Sequence, residues 1–228
     1  ASLNHLVETP ADYGTPWTGV VQLQGLDGEG TVDTYLPVID ALSAADGVES
    51  FGLLYPGQLR LDGQSYPALS IEPSARPIAP TILDGRAPVG PNEVALGVRT
   101  QDELAVDIGE RVTTQRGGDT AEMTVVGTVV LPAIGSYSGA DKTTLGEGVL
   151  ASREVLTTWG PTFDSYGVVV QADGRSTVDE TVAAIEVPEP SYLTVSAPSV
   201  PSDVRSLARV RATPPWLTAP LAGLLAPT

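Results

Sequence analysis

The amino-acid sequence predicts an α+β fold with two lobes, in which a β-rich lobe is inserted into a split β-α-β / β-α-β lobe. A strand-helix-strand pattern occurs once near the start of the chain and once near its end. The long stretch between these patterns is mostly short strands joined by turn signals. Apolar residues make up 42% of the 228 residues, which is enough for one sizeable core or two small ones. We therefore expect the two ends of the chain to build one α/β layer.

The first β-α-β unit begins with a strand at residues 18–24 (TGVVQLQ), followed by a glycine- and acid-rich loop at Gly25–Asp33. The next apolar residues recur at i, i+3, i+4 and i+7, which places them on one face of a helix ending near Gly47. The second strand is Val48–Tyr55. The helical stripe consists of Tyr35, Val38, Ile39 and Leu42.

The second unit comprises a strand at Tyr166–Gln171, a helix at Gly174–Val187 and a strand at Tyr192–Val195. Ser176, followed three residues later by Asp179, resembles a capping box at the start of that helix. Both predicted helices have one apolar face, so we expect them to cover the same face of the sheet. The apolar face of the second helix carries Val178, Val182 and Ile185.

The stretch between the two units predicts two hairpins and two further helices. Asp62-Gly63 and the segment 116–119 (RGGD) supply turn residues that adopt positive φ angles, so each predicts a tight hairpin. The flanking strands are Leu59–Leu61 with Tyr66–Ile71, and Arg111–Gln115 with Met123–Leu131. Val98–Leu104 predicts a short helix, and Glu147–Leu156 predicts a strand running into a helix capped at Ser152.

These elements divide the chain into three parts. We expect an α/β lobe from residues 1–73 together with 161–213, and an inserted β-rich lobe at 74–160. The third part, 214–228, is expected to be the start of a truncated transmembrane helix, because Pro215–Ala226 is apolar and uncharged and begins with Trp216 at an interfacial position. Just before it, Ser202–Ala212 has an apolar side and a basic side, which indicates either an amphipathic terminal helix or a stalk that enters a membrane. The basic side carries Arg205, Arg209 and Arg211.

The composition excludes several classes of function. There are 28 acidic and 12 basic residues, a net charge of −16, so binding to a nucleic-acid backbone, which needs a basic stripe, is not expected. The absence of cysteine excludes disulfides, thiolate metal sites and a cysteine nucleophile. The single histidine, His5, excludes any site that needs two imidazoles.

One acidic segment resembles the start of a calcium loop. Asp27, Glu29, Thr31 and Asp33 alternate along LDGEGTVD, and such oxygens can converge on one cation. The twelfth position of the loop is Val38, where a bidentate glutamate is required. A solvated turn is therefore the preferred interpretation.

Other polar residues form no recognisable catalytic constellation. Ser136 and Ser138 with Lys142 could form a serine-lysine pair, but their spacing fits no Ser-x-x-Lys motif, which favours a polar loop. The acidic pairs are best explained as exposed surface carboxylates, and the tryptophans are too far apart to predict a stacking platform. We assign no catalytic, cofactor-binding or metal-binding residue. The acidic pairs are Asp102 with Glu103 and Glu186 with Glu189, and the tryptophans are Trp17, Trp159 and Trp216.

The stretch 84–112, DGRAPVGPNEVALGVRTQDELAVDIGERV, is more specific, and a VVGTV strand follows it at Val125–Val129. This stretch resembles the signature of the MacB-like core domain of FtsX-type ABC transporter permeases, as does the segment 209–214 (RVRATP) before the apolar run. The departures are Gln101, Ala105 and Glu110, where Ala, Gly and Asp are common. The matching residues are Gly85, Arg86, Pro88, Asn92, Glu93, Val94, Ala95, Leu96, Gly97, Thr100, Leu104, Val106, Gly109 and Val112.

The resemblance implies both a fold and a role. In this family the domain lies outside the membrane between two transmembrane helices of a permease, with an α/β (Porter-like) lobe from both chain ends and an inserted β-rich (Sabre-like) lobe. It implies a non-enzymatic mechanical part, without a cofactor, moved by ATP hydrolysis in a separate ABC ATP-binding subunit. The implied partners are that subunit, a second permease domain or a homodimer mate, and a cell-wall hydrolase, lipoprotein or peptide substrate.

A different class of function remains open. The chain could be a free-standing secreted module that binds carbohydrate or peptide, with the terminal apolar run packed on its own core. A deep pocket lined by aromatic residues would favour this alternative.

Overall fold

The computed structural model describes residues 9–24, 32–74, 76–134, 142–161, 167–186 and 192–198. Within these residues, ten strands pair into one continuous sheet and four α-helices pack beside it, so the predicted mixed α and β class is confirmed. The strands are β1 Gly19–Gln24, β2 Val48–Leu61, β3 Gln64–Pro73, β4 Thr81–Gly85, β5 Glu93–Gly97, β6 Arg111–Arg116, β7 Asp119–Val130, β8 Val149–Ala151, β9 Gly167–Ala172 and β10 Tyr192–Ser196. The helices are α1 Val32–Ala44, α2 Val98–Leu104, α3 Arg153–Trp159 and α4 Arg175–Ala183, and a 3₁₀ turn spans Pro10–Tyr13.

One end of the sheet has the strand order β10-β1-β9-β2. β1 lies between β10 and β9 and is antiparallel to both, with Val21 opposite Val195 and Val20 opposite Val169. β2 is antiparallel to β9, so β1 and β2 run parallel with β9 between them. Two interleaved split β-α-β units therefore form a ferredoxin-like layer, as the sequence predicts.

Both helices of this layer pack on the same face of the sheet. The stripe of α1 and the apolar face of α4 share one buried cluster with inward-facing residues of β1, β2 and β9. This confirms the expected covering of one face by the two helices. The cluster consists of Val21, Tyr35, Val38, Leu42, Phe51, Leu53, Tyr55, Val168, Val170, Ala172, Val178 and Val182.

The other half of the sheet closes on itself. β3 pairs with β8, β8 with β5, β5 with β7, and β7 with β6. β6 then returns to β2, where Leu61 lies opposite Thr114, while Asp62 N donates to Thr113 O and Thr113 N to an Asp62 carboxylate oxygen, both at 2.8 Å. Six strands thus form a small barrel, and β4 extends the sheet on the far side of β7.

The barrel interior is filled from all six strands and from α3. On the other face of the central strands, a third buried cluster runs from Val20 of β1 to Val129 of β7 without a break between the two halves. The lobe boundaries at 73/74 and 160/161 stay a prediction. The barrel interior contains Leu59, Leu61, Tyr66, Ala68, Val94, Leu96, Val112, Met123, Val125, Val149, Ala151, Val155 and Leu156.

Strand β2 differs from its prediction. The sequence predicts two strands here, Val48–Tyr55 and Leu59–Leu61, whereas the structure has one strand from Val48 to Leu61. The pairing of β2 with β9 ends at Leu54, and its pairing with β6 begins only at Leu61. Pro56 therefore lies where neither strand needs its missing N–H, which is how a proline is tolerated within a strand.

The local signals are confirmed at most other positions. The predicted hairpin turns join β2 to β3 and β6 to β7, with Asp62 and Gly63 both at positive φ. The predicted capping box of α4 is wrong: its N-cap is Gly174, which forms no side-chain cap hydrogen bond. No helix among the described residues is long and apolar enough to cross a membrane.

Candidate binding cleft beside the signature loop

The signature residues fold into one consecutive unit: the end of β4, a loop at 86–92 (the signature loop), strand β5 and helix α2. Gly85 has a φ of 71°, and a Cβ there would lie 2.3 Å from the carbonyl oxygen of Val126. A Cβ on Gly97 would lie 2.3 Å from the carbonyl oxygen of Gly146. Gly85 cannot be replaced by a larger residue because of both its positive φ and this contact, and Gly97 because of its contact. Both glycines thus have the structural roles that the sequence predicts.

Glu93 holds the signature loop in place. Its carboxylate accepts hydrogen bonds from Arg86 Nη1 and Nη2 at 2.8 and 2.5 Å. It also accepts from the backbone N–H groups of Val89 and Gly90 at 3.0 and 3.2 Å. These bonds, the Arg86 guanidinium first, lower the pKa of Glu93 to about 2. The loop is thus fixed by a single carboxylate at the first residue of β5.

The signature loop forms one wall of an apolar cleft with a volume of about 430 Å³. The rest of the lining comes from the end of β3, the segment after it, the end of β8 and the start of α3. Among the described residues, no aromatic side chain lines this cleft. The apolar lining consists of Ile71, Pro73, Pro77, Ile78, Ala79, Ala87, Pro88, Val89, Leu150 and Ala151.

Three charged side chains also line the cleft: Glu72, Arg153 and Glu154. The guanidinium of Arg153 stacks on the ring of Tyr55, 3.4 Å from its centroid, and its Nε lies 4.0 Å from a carboxylate oxygen of Glu72. Burial raises the pKa of Tyr55, against the opposing effect of Arg153. Glu154 is exposed and forms no ion pair with another described residue. The lining therefore has a surplus of one carboxylate.

Two smaller cavities lie elsewhere. One, of about 90 Å³, is lined by Tyr13, Trp17 and the end of β10, and the buried Trp17 Nε1 has no hydrogen-bond partner among the described residues. The other, of about 240 Å³, is lined by the end of α1 and the start of β2 with Arg76. The cleft beside the signature loop is larger than either.

The acidic residues and tryptophans considered as candidates do not form a common site among the described residues. Asp102 and Glu103 are exposed on α2, where Glu103 accepts a hydrogen bond from Arg99 Nε at 3.1 Å. Trp17 and Trp159 pack in different clusters, and Glu186 is exposed. Within the described ranges, no group of three or more His, Asp or Glu side chains could hold a metal ion.

Several predicted features lie outside the described residues, so they stay predictions. They include the acidic loop, apart from Asp33, whose backbone is part of α1 while its side chain is not described. Lys142 is half-buried, but both serines proposed beside it lie outside. The features outside are His5, Asp27, Glu29, Thr31, Ser136, Ser138, Glu189, Arg205, Arg209, Arg211, Trp216 and the segment 214–228.

Sequence reasoning did not find the cleft, because its lining comes from segments that are distant along the chain. A partial signal was present in the Ala87-Pro88-Val89 run, which is apolar although it lies in a loop. Val89 is 82% exposed, more than any other large apolar side chain among the described residues.

No family model matches the chain, and no curated protein matches it in sequence. Several solved structures are similar to it, and two of them are described here. The extracellular domain of the noncanonic ABC-type transporter YknZ from Gram-positive bacteria is 14% identical, with a TM-score of 0.47, over 78% of this chain and 99% of that one. The periplasmic region of MacB from Actinobacillus actinomycetemcomitans is 10% identical, with a TM-score of 0.46, over 88% of this chain and 95% of that one.

Proposed function

We propose that this chain is the extracytoplasmic domain of an FtsX- or MacB-type ABC transporter permease and that it transmits an ATP-driven conformational change. The observation that carries the proposal is the signature stretch 84–112, whose matching residues occupy constrained positions. Gly85 and Gly97 fill places that admit no side chain, and Glu93 fixes the loop. Thr100 is fully buried, and its hydroxyl accepts a hydrogen bond from Gly148 N at 2.9 Å. A chance match would not be expected to select the positions on which the local fold depends.

The apolar residues of the signature have a matching role. Val94 and Leu96 point into the barrel interior, and Leu104 and Val106 pack against it. Ala95 faces the third cluster on the other side of the sheet. The signature therefore describes how β5 and α2 contribute to the barrel, which supports a family-specific fold rather than a catalytic site.

The architecture is suited to transmitting movement. The ferredoxin-like layer and the barrel share strand β2, which pairs with β9 in the layer and with β3 in the barrel, and the third cluster continues from one half to the other. A displacement imposed on one half would reach the other through packed strands, which transmit strain because protein interiors are dense. Such a domain needs two placements that differ by only a few kcal/mol, so that a distant ATPase can bias them.

The partners follow from the proposed role. ATP would be bound and hydrolysed by a separate ABC subunit, and this chain would not itself be an enzyme. A second permease domain or another copy of this chain would lie beside it on the extracytoplasmic side. A cell-wall hydrolase, lipoprotein or peptide would be the exported or regulated component.

The absence of cysteine allows a direct test. The complete gene product, with any cysteine outside these 228 residues replaced by serine, would carry a single cysteine in place of Gly118, an exposed turn residue where an added Cβ meets no atom within 4 Å. We expect a membrane-impermeant maleimide to label this variant in intact cells. We also expect spin labels at that site in two neighbouring copies to change their separation when the ATPase subunit is trapped with vanadate. A Val125→Cys variant, buried in the barrel, serves as the unlabelled control.

Labelling only after the cells are lysed would refute the extracytoplasmic location. A label separation that is the same with and without vanadate would refute the transmission of movement. A gene product released into the medium, and not found in the membrane fraction, would instead support the secreted binding module. The carbohydrate form of that alternative is not favoured by the cleft, because none of the described residues that line it is aromatic.

A further inference from the structure

We propose that the cleft beside the signature loop binds a short peptide segment in which apolar side chains are flanked by basic ones. The proposal concerns a ligand of this chain itself and goes beyond the proposed transporter role. It depends on the size and lining of the cleft, on the way its walls are held, and on its charge.

The size and lining fit apolar side chains. A volume of about 430 Å³ is within the range of about 300–1,000 Å³ that is typical of ligand sites. Ile71, Ile78 and Ala87 form the part of the lining that joins the third buried cluster, so the cleft opens directly onto packed apolar residues. An exposed apolar patch rimmed by polar side chains is typical of an interaction site.

The walls are held before any ligand binds. Glu93 fixes the backbone of Val89 and Gly90 by two hydrogen bonds. In α3, the Ser152 side chain accepts a hydrogen bond from Val155 N at 3.3 Å, and Arg153 is stacked on Tyr55. A cleft that needs little rearrangement loses less free energy on binding, so even a short peptide can be retained.

The charge of the cleft selects basic groups. Arg86, next to the lining residue Ala87, is already paired with Glu93, and Arg153 is occupied by Tyr55 and Glu72. Arg76 lines the neighbouring cleft together with Glu49. Glu154 therefore remains available to a cation, on a chain whose net charge is −16. An acidic occupant would be repelled, and a neutral one would leave Glu154 unused.

A peptide fits this arrangement better than a small cation. The carboxylates come from β3 and α3, whereas the most exposed apolar side chain, Val89, comes from the signature loop. An occupant that contacts both the carboxylates and Val89 must present a positive charge and an apolar group at separate points. A peptide with basic and apolar residues side by side meets this requirement.

The test uses the 228-residue chain labelled with ¹⁵N and two acetylated, amidated pentapeptides, Lys-Leu-Trp-Leu-Lys and Glu-Leu-Trp-Leu-Glu. We expect the basic peptide to shift the amide resonances of Ile78, Val89, Gly90 and Ala151, with a dissociation constant of about 0.1–1 mM. The acidic peptide is expected to bind at least about ten times more weakly. Equal binding of the two peptides, or shifts confined to other parts of the chain, would overturn the proposal.

Variants separate the cleft from the rest of the surface. Val89→Arg introduces a positive charge at the signature loop and is expected to lower the affinity for the basic peptide about tenfold. Glu154→Gln removes the free carboxylate and is expected to lower this affinity about threefold. Leu36→Arg makes the same kind of change at an exposed position of α1 outside the cleft and should have less than a twofold effect. An equal loss of affinity in Leu36→Arg would show that the basic peptide is attracted by charge alone, and the cleft would not be its binding site.

Two further outcomes bear on the proposal. If the small cation benzyltrimethylammonium bound as tightly as the basic peptide, the cleft would be a small-cation site and the peptide assignment would be wrong. Because these measurements use this chain alone, their failure would leave the transporter assignment standing, and a cytoplasmic location of the complete gene product would leave the peptide result intact.

Discussion

The guanidinium of Arg153 lies over the ring of Tyr55, 3.4 Å from its centroid, and this contact joins two of the three buried clusters. Tyr55 belongs to the cluster beneath α1 and α4. Arg153 is the first residue of α3, whose Val155 and Leu156 fill the barrel interior. A cation held against an aromatic face thus links α3 to the part of β2 that lies beneath α1 and α4.

Replacing Arg153 by methionine should destabilise the chain by about 1 kcal/mol. Methionine keeps much of the apolar stem but removes the cation, and a partly desolvated cation–π contact is worth about 1–2 kcal/mol. Arg153→Lys should lose less, because it retains a charge but not the planar group. Urea unfolding followed by circular dichroism measures both changes.

The control is Arg111→Met, which breaks a well-exposed ion pair with Glu122 and should cost less than about 0.5 kcal/mol. Equal losses in Arg153→Met and Arg111→Met would contradict the role of the Tyr55 contact.

Glu93→Gln should lower the free energy of unfolding at neutral pH and make that free energy less dependent on pH between about 4.5 and 2. The folded chain holds the pKa of Glu93 at about 2, below the ordinary value of 4.5, so in this interval the unfolded state binds more protons. The stability that Glu93 contributes is therefore fully present above about pH 4.5 and is lost as the pH falls towards 2.

Thermal unfolding of both proteins from pH 7 to pH 2.5 measures this effect. We expect a loss of about 1 kcal/mol in the variant at pH 7, because a charge-assisted cluster on a partly exposed side chain is replaced by neutral hydrogen bonds. The difference between the two proteins should narrow between pH 4.5 and 2.5. Glu122→Gln, at an exposed pair, is the matched control. A difference between Glu93→Gln and the unsubstituted chain that stays constant down to pH 2.5 would mean that Glu93 is not held as described.

Features set by neighbouring residues were predictable from the sequence. The turn at Asp62-Gly63 requires positive φ at both residues, and the stripe from Tyr35 to Leu42 requires one buried face. Such signals act over a few residues, so they are readable without the fold. The extent of α2, Val98–Leu104, was predicted for the same reason.

Features set by distant strands were not predictable. The closure of the barrel depends on Leu61 meeting Thr114, and the continuity of β2 depends on where β9 and β6 stop pairing with it. The cleft needs Ile71, Val89 and Leu150 to converge, although each is unremarkable in its own segment. These relationships are fixed by tertiary packing, and local propensity contains no information about them.

Ala105→Gly should stabilise the chain by about 1 kcal/mol. Ala105 is the C-cap of α2 and has φ 52° and ψ 47°, a left-handed conformation that costs a residue with a Cβ roughly 1–2 kcal/mol. Part of this gain is offset by the greater freedom of glycine in the unfolded chain. Ala184 is the C-cap of α4 but is right-handed, at φ −85°, so Ala184→Gly should be destabilising by about 0.5–1 kcal/mol. The midpoints of urea unfolding measure both effects, and a shift of the same sign in the two variants would contradict this account.

Ser152→Ala and Ser176→Ala should differ although both serines lie near a helix start. The Ser152 side chain accepts a hydrogen bond from Val155 N and caps α3, so its loss should cost about 1 kcal/mol. Ser176 is the second residue of α4, whose N-cap is Gly174, so it has no capping role and its replacement should change stability by less than about 0.5 kcal/mol. Loss of the cap should also speed hydrogen exchange at the amides of Arg153, Glu154 and Val155, because the first turn of α3 is then less well held. Comparable losses of stability in the two variants, with unchanged exchange in α3, would refute the assignment of Ser152 as the cap.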